Sequence, residues 1–330
     1  ILVLNRNMKD NLLGIDIGGT KCAIVYGKRI GSDLQIVDKT KIETTTVEET
    51  IRNIMSEAKR MMARFNLTAQ TVRAVGISCG GPLDSKSGTV MSPPNLPGWD
   101  NIPIVKIIEE ELGVRAGLQN DANACALAEW KFGAGRGTQN MIFLTCGTGL
   151  GAGIILNGSL YSGTNDNAGE VGHIRLTDDG PIGYGKEGSF EGYASGGGIA
   201  QLARSLAAEE IKKGGHVSWC PSLDDMENIN AKLIAEAAGA GDKLALKVYE
   251  TSATYLGKGL AMLIDILNPE LIAIGSIYAR NKDMMEPYVL GQISKEALEG
   301  ARDVCKIVPA ALGENIGDYA ALSIAANLID

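Results

Sequence analysis

The sequence predicts an α/β protein made of two related domains. Three observations lead there. The chain has 330 residues, more than one ordinary core encloses, so two domains are the natural division. One pattern occurs twice, in residues 12–26 and again in 141–156: an apolar strand, a glycine turn and a second strand. Elsewhere, apolar runs of strand length alternate with stretches of helical periodicity.

Composition narrows the class. Hydrophobic content of 45% and charged content of 21% describe a soluble globular protein. A net charge of −8 argues against a nucleic-acid surface, which needs basic patches. No apolar run reaches the roughly 18 residues that a membrane span requires. The opening ILVLNRN is apolar but short, with Arg6 and Lys9 behind it, the reverse of a signal peptide. Met8 reads as the natural start, with residues 1–7 as an upstream extension. The cysteines, Cys22, Cys79, Cys125, Cys146, Cys220 and Cys305, stand singly with no metal-ligand spacing. They read as small buried residues in a reducing cytosol, so a cytoplasmic location is expected.

The first strand carries Leu12, Leu13, Ile15 and Ile17, and the stretch LGIDIGGTKCAIVYG continues through Gly18-Gly19 into Ala23–Tyr26. Neither GxxxxGK[ST] nor GxGxxG is present and no helix follows, so the turn is a phosphate device of another kind or a tight hairpin. Thr46 and Glu49 form a candidate capping box before Val47, Ile51, Ile54, Met55, Ala58 and Met62 at helical spacing. Val72–Ser78 is a strand running into Cys79-Gly80-Gly81-Pro82, and SPPNLPGWDNIP is a Pro-rich loop with an exposed-looking Trp99. Ile104–Leu112 is a helix closed by Gly113, with Glu109–Glu111 as its solvated face. Val114–Gln119 is a strand with Asn120-Asp121 at its end, before a helix over 122–132. After the second glycine hairpin, a long helix over 245–267 is stopped by Asn268-Pro269. Leu271–Gly275 is a short buried strand, and a final helix runs from about Asp318 to Leu328. His216 lies in no motif and reads as an incidental surface residue. The expected domains are a small N-terminal one over 8–122 and a large C-terminal one over 123–311. A helix at about 312–330 packs back on the first, and packed helices able to hinge join the halves.

In order, DIGGTK (16–21), NDANACALAE (120–129), TCGTGLGAGII (145–155), AGEVGH (168–173), FEGYASG (190–196) and NPELIAIGS (268–276) resemble the ordered motifs of the ROK family. The resemblance runs from about residue 11 to 328. It implies a two-domain actin-like ATPase fold, the duplicated ribonuclease H-like sugar-kinase architecture with a central cleft. It also implies ATP-dependent phosphorylation of a hexose hydroxyl, as in the glucokinase branch. By that resemblance Asp16, Gly18, Gly19, Thr20, Lys21, Gly147, Thr148, Gly149, Gly275 and Ser276 bind ATP, and Asp16 reaches Mg2+ through water. Asn95, Asn120, Asp121, Glu170, His173 and Glu191 contact the sugar, with Asp121 as general base. The chemistry agrees. Phosphoryl transfer asks mainly for positioning and charge stabilisation, and backbone N–H groups grip phosphate best where no Cβ blocks approach. Asp121 sits at the C-terminal end of a strand, where open α/β sheets place their ligand chemistry.

There are two departures. Many members carry CxCGxxGC, whose cysteines and the GH histidine hold a structural zinc; here Ile182, Tyr184 and Ser189 occupy the cysteine positions. No zinc is therefore expected, and His173 is free for the sugar. Gly275-Ser276 also replaces the usual double glycine. Alternative acceptors are an N-acetylhexosamine, fructose or allose, and the alternative role is a sugar-sensing regulator without DNA binding. The family's repressors carry a DNA-binding domain before the first motif, and the short segment ahead of Asp16 argues against one. The resemblance further implies a homodimer, while the acidic charge and the lack of a long apolar run lead us to expect no nucleic-acid or membrane partner.

Overall fold

A computed structural model describes residues 9–330. The reading of Met8 as the start and of residues 1–7 as an extension lies outside the described residues. The chain divides into two compact units.

The first unit holds a five-stranded sheet of order β3-β2-β1-β4-β7. Its strands are β1 (Lys9–Ile17), β2 (Lys21–Ile30), β3 (Asp33–Glu43), β4 (Val72–Cys79) and β7 (Ala116–Asn120), with a small hairpin, β5 (Leu83–Asp84) and β6 (Thr89–Val90), between the last two. β1 pairs antiparallel with β2 and parallel with β4. Both faces of β1 are buried, which explains a nearly continuous apolar run. Its odd residues Leu13, Ile15 and Ile17 face α1 (Val47–Arg64) and α2 (Ile104–Leu112), through Ile54, Met55, Ile104 and Ile108. Leu12 on the other face meets Leu322, Ala325 and Ala326 of the last helix. That helix comes close because the sheet is bare beneath it: a Cβ on Gly76 would lie 2.0 Å from the Ala321 carbonyl oxygen.

Thr46 caps α1 by accepting from the Glu49 N–H at 3.4 Å. The reciprocal half of the expected capping box does not form, because the Glu49 carboxylate accepts instead from Thr45 Oγ1 at 2.9 Å. Gly113 closes α2 in the left-handed conformation, at φ 66°. Trp99 corrects the sequence reading. It is 1% exposed and packs among the core residues of this unit, so the Pro-rich loop folds inward around its ring.

The unit boundary also differs from the sequence expectation. α3 (Asp121–Phe132) and the chain through Thr138 belong to the first unit, as do residues 153–168 and 311–330. The N-terminal unit is therefore not the smaller one. Small residues cause the difference: a Cβ on Gly153 would fall 2.4 Å from Ala126 Cβ, so that strand lies directly on α3. The buried Glu129 carboxylate completes it, accepting from the N–H groups of Ala134, Ala311 and Leu312.

The second sheet has order β10-β9-β8-β13-β14, the first sheet's order repeated. Its strands are β8 (Met141–Cys146), β9 (Leu150–Leu156), β10 (Ser159–Tyr161), β13 (Leu271–Ile274) and β14 (Lys306–Pro309); a two-residue hairpin, β11 (Ile182–Gly183) and β12 (Lys186–Glu187), stands apart. The second unit's helices are α4 (Phe190–Ala194), α5 (Gly196–Lys212), α6 (Ala231–Gly239), α7 (Lys243–Leu267), α8 (Ser276–Arg280), α9 (Lys282–Glu296) and α10 (Glu299–Arg302). α7 runs through the core of this unit and ends at Asn268, left-handed at φ 43°. Phe190 packs on it where Gly259 leaves room for the ring. The final helix, α11 (Ile316–Asn327), belongs to the first unit. Among the described residues no helix is long and apolar enough to cross a membrane, and all six cysteines are free.

Candidate active site

The predicted residues divide between the two units. In the first, Asp16 ends β1 and Gly18-Gly19 make the turn into β2. Gly18 donates to the Lys21 carbonyl at 3.2 Å, and Thr44 Oγ1 donates to the Gly18 carbonyl at 2.6 Å. Gly19 has no room for a side chain: a Cβ there would lie 2.3 Å from the Asn95 carbonyl oxygen. Asn95 thus rests against the turn, with its side chain beside Gly80. Thr20 and Lys21 are exposed at the turn's tip.

Asn120 is the N-cap of α3, accepting from the Ala122 N–H at 2.9 Å, while its amide nitrogen lies against Gly81. Asp121 begins the helix and also accepts from the Ala122 N–H, at 2.8 Å. Its residue surface is open to solvent. Dense surrounding protein nonetheless raises its pKa, and hydrogen bonds from backbone N–H groups work against that. Asp16 is pushed up to about 6, first by burial and then by the charges of Asp121 and Asp318. A hydrogen bond from Ser78 and the charge of Lys39 pull it back. Two carboxylates of one unit therefore feel each other beside the glycine turn, and neither ionises as readily as it does in water.

The second unit repeats the turn with different neighbours. Gly147 donates to the Gly149 carbonyl at 3.1 Å, and its own carbonyl accepts from Gly196 at 2.7 Å, at the start of α5. Glu191, on α4, accepts from the Leu150 N–H at 3.0 Å, and its carboxylate would lie 2.8 Å from a Cβ on Gly149. Thr148 is exposed. Glu170 is exposed, and His173 is exposed with its ring edge-on to Tyr184, centroids 6.3 Å apart. Gly275 is buried against the Phe143 ring, and Ser276 takes φ 53°, a conformation that costs a side chain energy. Its hydroxyl lies 3.7 Å from a Cβ built on Gly147.

Sequence reasoning missed the buried Ser78, the Lys39–Asp318 ion pair near Asp16, and the Gly196-Gly197 contacts with the second turn. Only tertiary packing brings these residues to the site, and no local spacing announces it.

The three positions that the resemblance aligns with zinc cysteines do not fit a structural zinc. Ile182 and Tyr184 are exposed, and Ser189 is buried as the N-cap of α4, accepting from the Gly192 N–H at 3.1 Å. Among the described residues no group of three or more His, Cys, Asp or Glu side chains is poised around a metal.

A family model described as the ROK family matches residues 12–327. A glucokinase of Halalkalibacterium halodurans is 32% identical over 310 residues, 92% of each chain. A ROK family glucokinase from Streptomyces griseus, solved with glucose and AMPPNP, superposes with a TM-score of 0.72 at 30% identity, covering 96% of this chain and 99% of that one. A ROK family transcriptional regulator, described as a homologue of the E. coli MLC protein, superposes with a TM-score of 0.81 at 27% identity, covering 96% of this chain and 78% of that one.

Proposed function

Since the chain belongs to the ROK family, we propose that it transfers the γ-phosphoryl group of ATP to a hexose hydroxyl, with glucose as the first candidate acceptor. The observation that carries this reading is Asp121, a solvent-open carboxylate at the end of β7 that shares its unit with Asp16 and the first glycine turn. The glucokinase relatives and the family motifs support it.

The roles follow from the chemistry. In each turn the N–H groups not already donated within the turn, as those of Gly18 and Gly147 are, are the candidate phosphate donors, with the Thr20 hydroxyl beside the first and the Thr148 hydroxyl beside the second. Asp121 takes the proton from the sugar hydroxyl as its oxygen bonds to the γ-phosphorus; the bond to the β–γ bridging oxygen breaks and ADP leaves. The raised pKa of Asp121 favours that step, since a carboxyl closer to neutrality is a better base. The side chains with donors and acceptors suited to sugar hydroxyls are Asn95 and Asn120 in the first unit and Glu170, His173 and Glu191 in the second. Mg2+ would be held through water by Asp16, and when bound it neutralises phosphate charge. Gly275 and Ser276 line the adenosine side.

A coupled ADP-release assay across glucose, N-acetylglucosamine, N-acetylmannosamine, fructose and allose tests this. Sugar-dependent turnover with at least one of them is expected. Sugar binding without turnover favours the regulator reading, which the likeness to a ROK regulator keeps in view.

A further inference from the structure

Residues 174–190 connect two side chains that the proposed function sets against the sugar, His173 and Glu191. In the middle is the β11–β12 hairpin, two residues on each strand, with Ile182 and Tyr184 turned to solvent. A hairpin this short does not hold its shape alone in water. Yet it lies against the site. A Cβ on Gly183 would meet Glu191 Cβ at 2.8 Å and the Gly192 nitrogen at 2.6 Å, so β11 rests on the first turn of α4. Gly172, the neighbour of His173, is pressed against the same Glu191 Cβ, at 3.2 Å.

One side chain holds the outer edge of β11. Gln201, half-buried on α5, accepts from the Ile182 N–H at 2.9 Å and donates to the Ile182 carbonyl at 2.7 Å. Its amide thus satisfies both backbone groups of one residue, as a neighbouring strand does in an antiparallel ladder. From β12, Lys186 donates to the His173 carbonyl at 2.8 Å. The contacts run from α5 through the hairpin to both sugar-facing residues.

We propose that Gln201 is a positioning residue of the sugar site, clamping Ile182 so that the hairpin fixes Glu191 from one side and, through Lys186, His173 from the other. This rests on the kinase reading above. The test compares Gln201→Met, similar in length but without hydrogen bonds, with Gln201→Glu, which keeps the acceptor and loses the donor. Two partly exposed hydrogen bonds translate into a rise in sugar KM of about three- to tenfold for Gln201→Met, with kcat, ATP KM and melting temperature close to wild type. Gln201→Glu falls between, and the Ile182 amide exchanges its hydrogen faster in Gln201→Met, which loses its acceptor. In an active protein, an unchanged sugar KM overturns the proposal. So does a general loss of stability in which sugar and ATP constants move together, since Gln201 would then be only a structural contact. If the wild type phosphorylates no hexose, the kinase reading fails and hydrogen exchange alone decides the clamp: faster exchange at Ile182 and His173 in Gln201→Met supports it, and equal exchange overturns it.

Discussion

The two glycine turns share one local design and have opposite surroundings. The first, Gly18-Gly19, is crowded by a backbone carbonyl and stands next to acid: Asp16 feels both Asp121 and Asp318. The second, Gly147-Thr148-Gly149, leaves Gly147 uncrowded, with only the Ser276 hydroxyl at 3.7 Å from a Cβ built there, and is braced by hydrogen bonds, from Gly196 into Gly147 and from Leu150 into Glu191. On the proposed function, the first turn would set phosphate beside carboxylates whose protonation burial tunes, and the second is a hydrogen-bonded turn whose neighbour Glu191 belongs to the proposed sugar site.

The largest test of that contrast is Asp121→Asn, which keeps size and shape but cannot accept a proton. A positioned base contributes about 10²–10⁴-fold, or roughly 3–5 kcal/mol of barrier. The loss is expected in kcat, with ATP KM nearly unchanged and the melting temperature equal to or above wild type, because a charge that the fold disfavours is removed; steady-state kinetics beside a thermal melt reads both. Lower stability with activity per folded molecule preserved would assign Asp121 to the scaffold.

The acid neighbourhood of the first turn predicts a stability effect with a definite pH window. A carboxyl raised in the folded state holds its proton more tightly there than in the unfolded chain. The contribution of Asp16 is therefore intact below about 3.8 and is lost as pH rises through about 6. Asp16→Asn removes the ionisation, so it should stabilise the protein by about 2–3 kcal/mol at pH 8 and hardly at all at pH 3.5. Urea unfolding at the two pH values measures it. Activity should fall in the same variant, a trade of function for stability.

Crowding separates the turns by a smaller amount. Gly19→Ala puts a methyl group onto the Asn95 carbonyl oxygen, and overpacking of this kind costs about 1–3 kcal/mol. Gly147→Ala meets only the Ser276 hydroxyl, at 3.7 Å, so stability should hold within about 0.5 kcal/mol while ATP KM rises. Equal destabilisation of the two variants would erase the distinction. The smallest effect is expected where the brace of the second turn meets the segment with Ile182, Tyr184 and Ser189. Glu191 is held by the Ser189-capped α4 and the hairpin, so a strong chelator should shift the melting temperature by less than about 1 °C. Elemental analysis of protein purified without added metal should find well under one zinc per chain.

Much of this was legible in the sequence because it is local. Both glycine hairpins, the Thr46 cap, the Gly113 stop and the Asn120-Asp121 junction follow from spacing within about ten residues, where strand and helix periods speak directly. What was hidden is tertiary. β3 alternates weakly between charged and apolar residues and reads as a strand only beside β2. Trp99, in a loop of prolines and polar residues, gives no sign that the loop folds inward. Gly76 and Gly153 look like weak points in strands, until α11 and α3 are seen to occupy the room they leave. For the site, the six ordered motifs named the candidate residues. They did not foretell that Asp318, on the last helix, adds its charge to Asp16, or that Gln201 holds the hairpin beside Glu191.

The central claim is that this chain moves a phosphoryl group from ATP to a sugar with Asp121 as base. Phosphorus NMR of the protein with ATP, magnesium and its best hexose tests that most directly, run in parallel with Asp121→Asn. The account predicts one sugar phosphate for each ADP formed, with the variant slower by about two orders of magnitude or more. ADP without sugar phosphate, or a variant within tenfold of wild type, would contradict it.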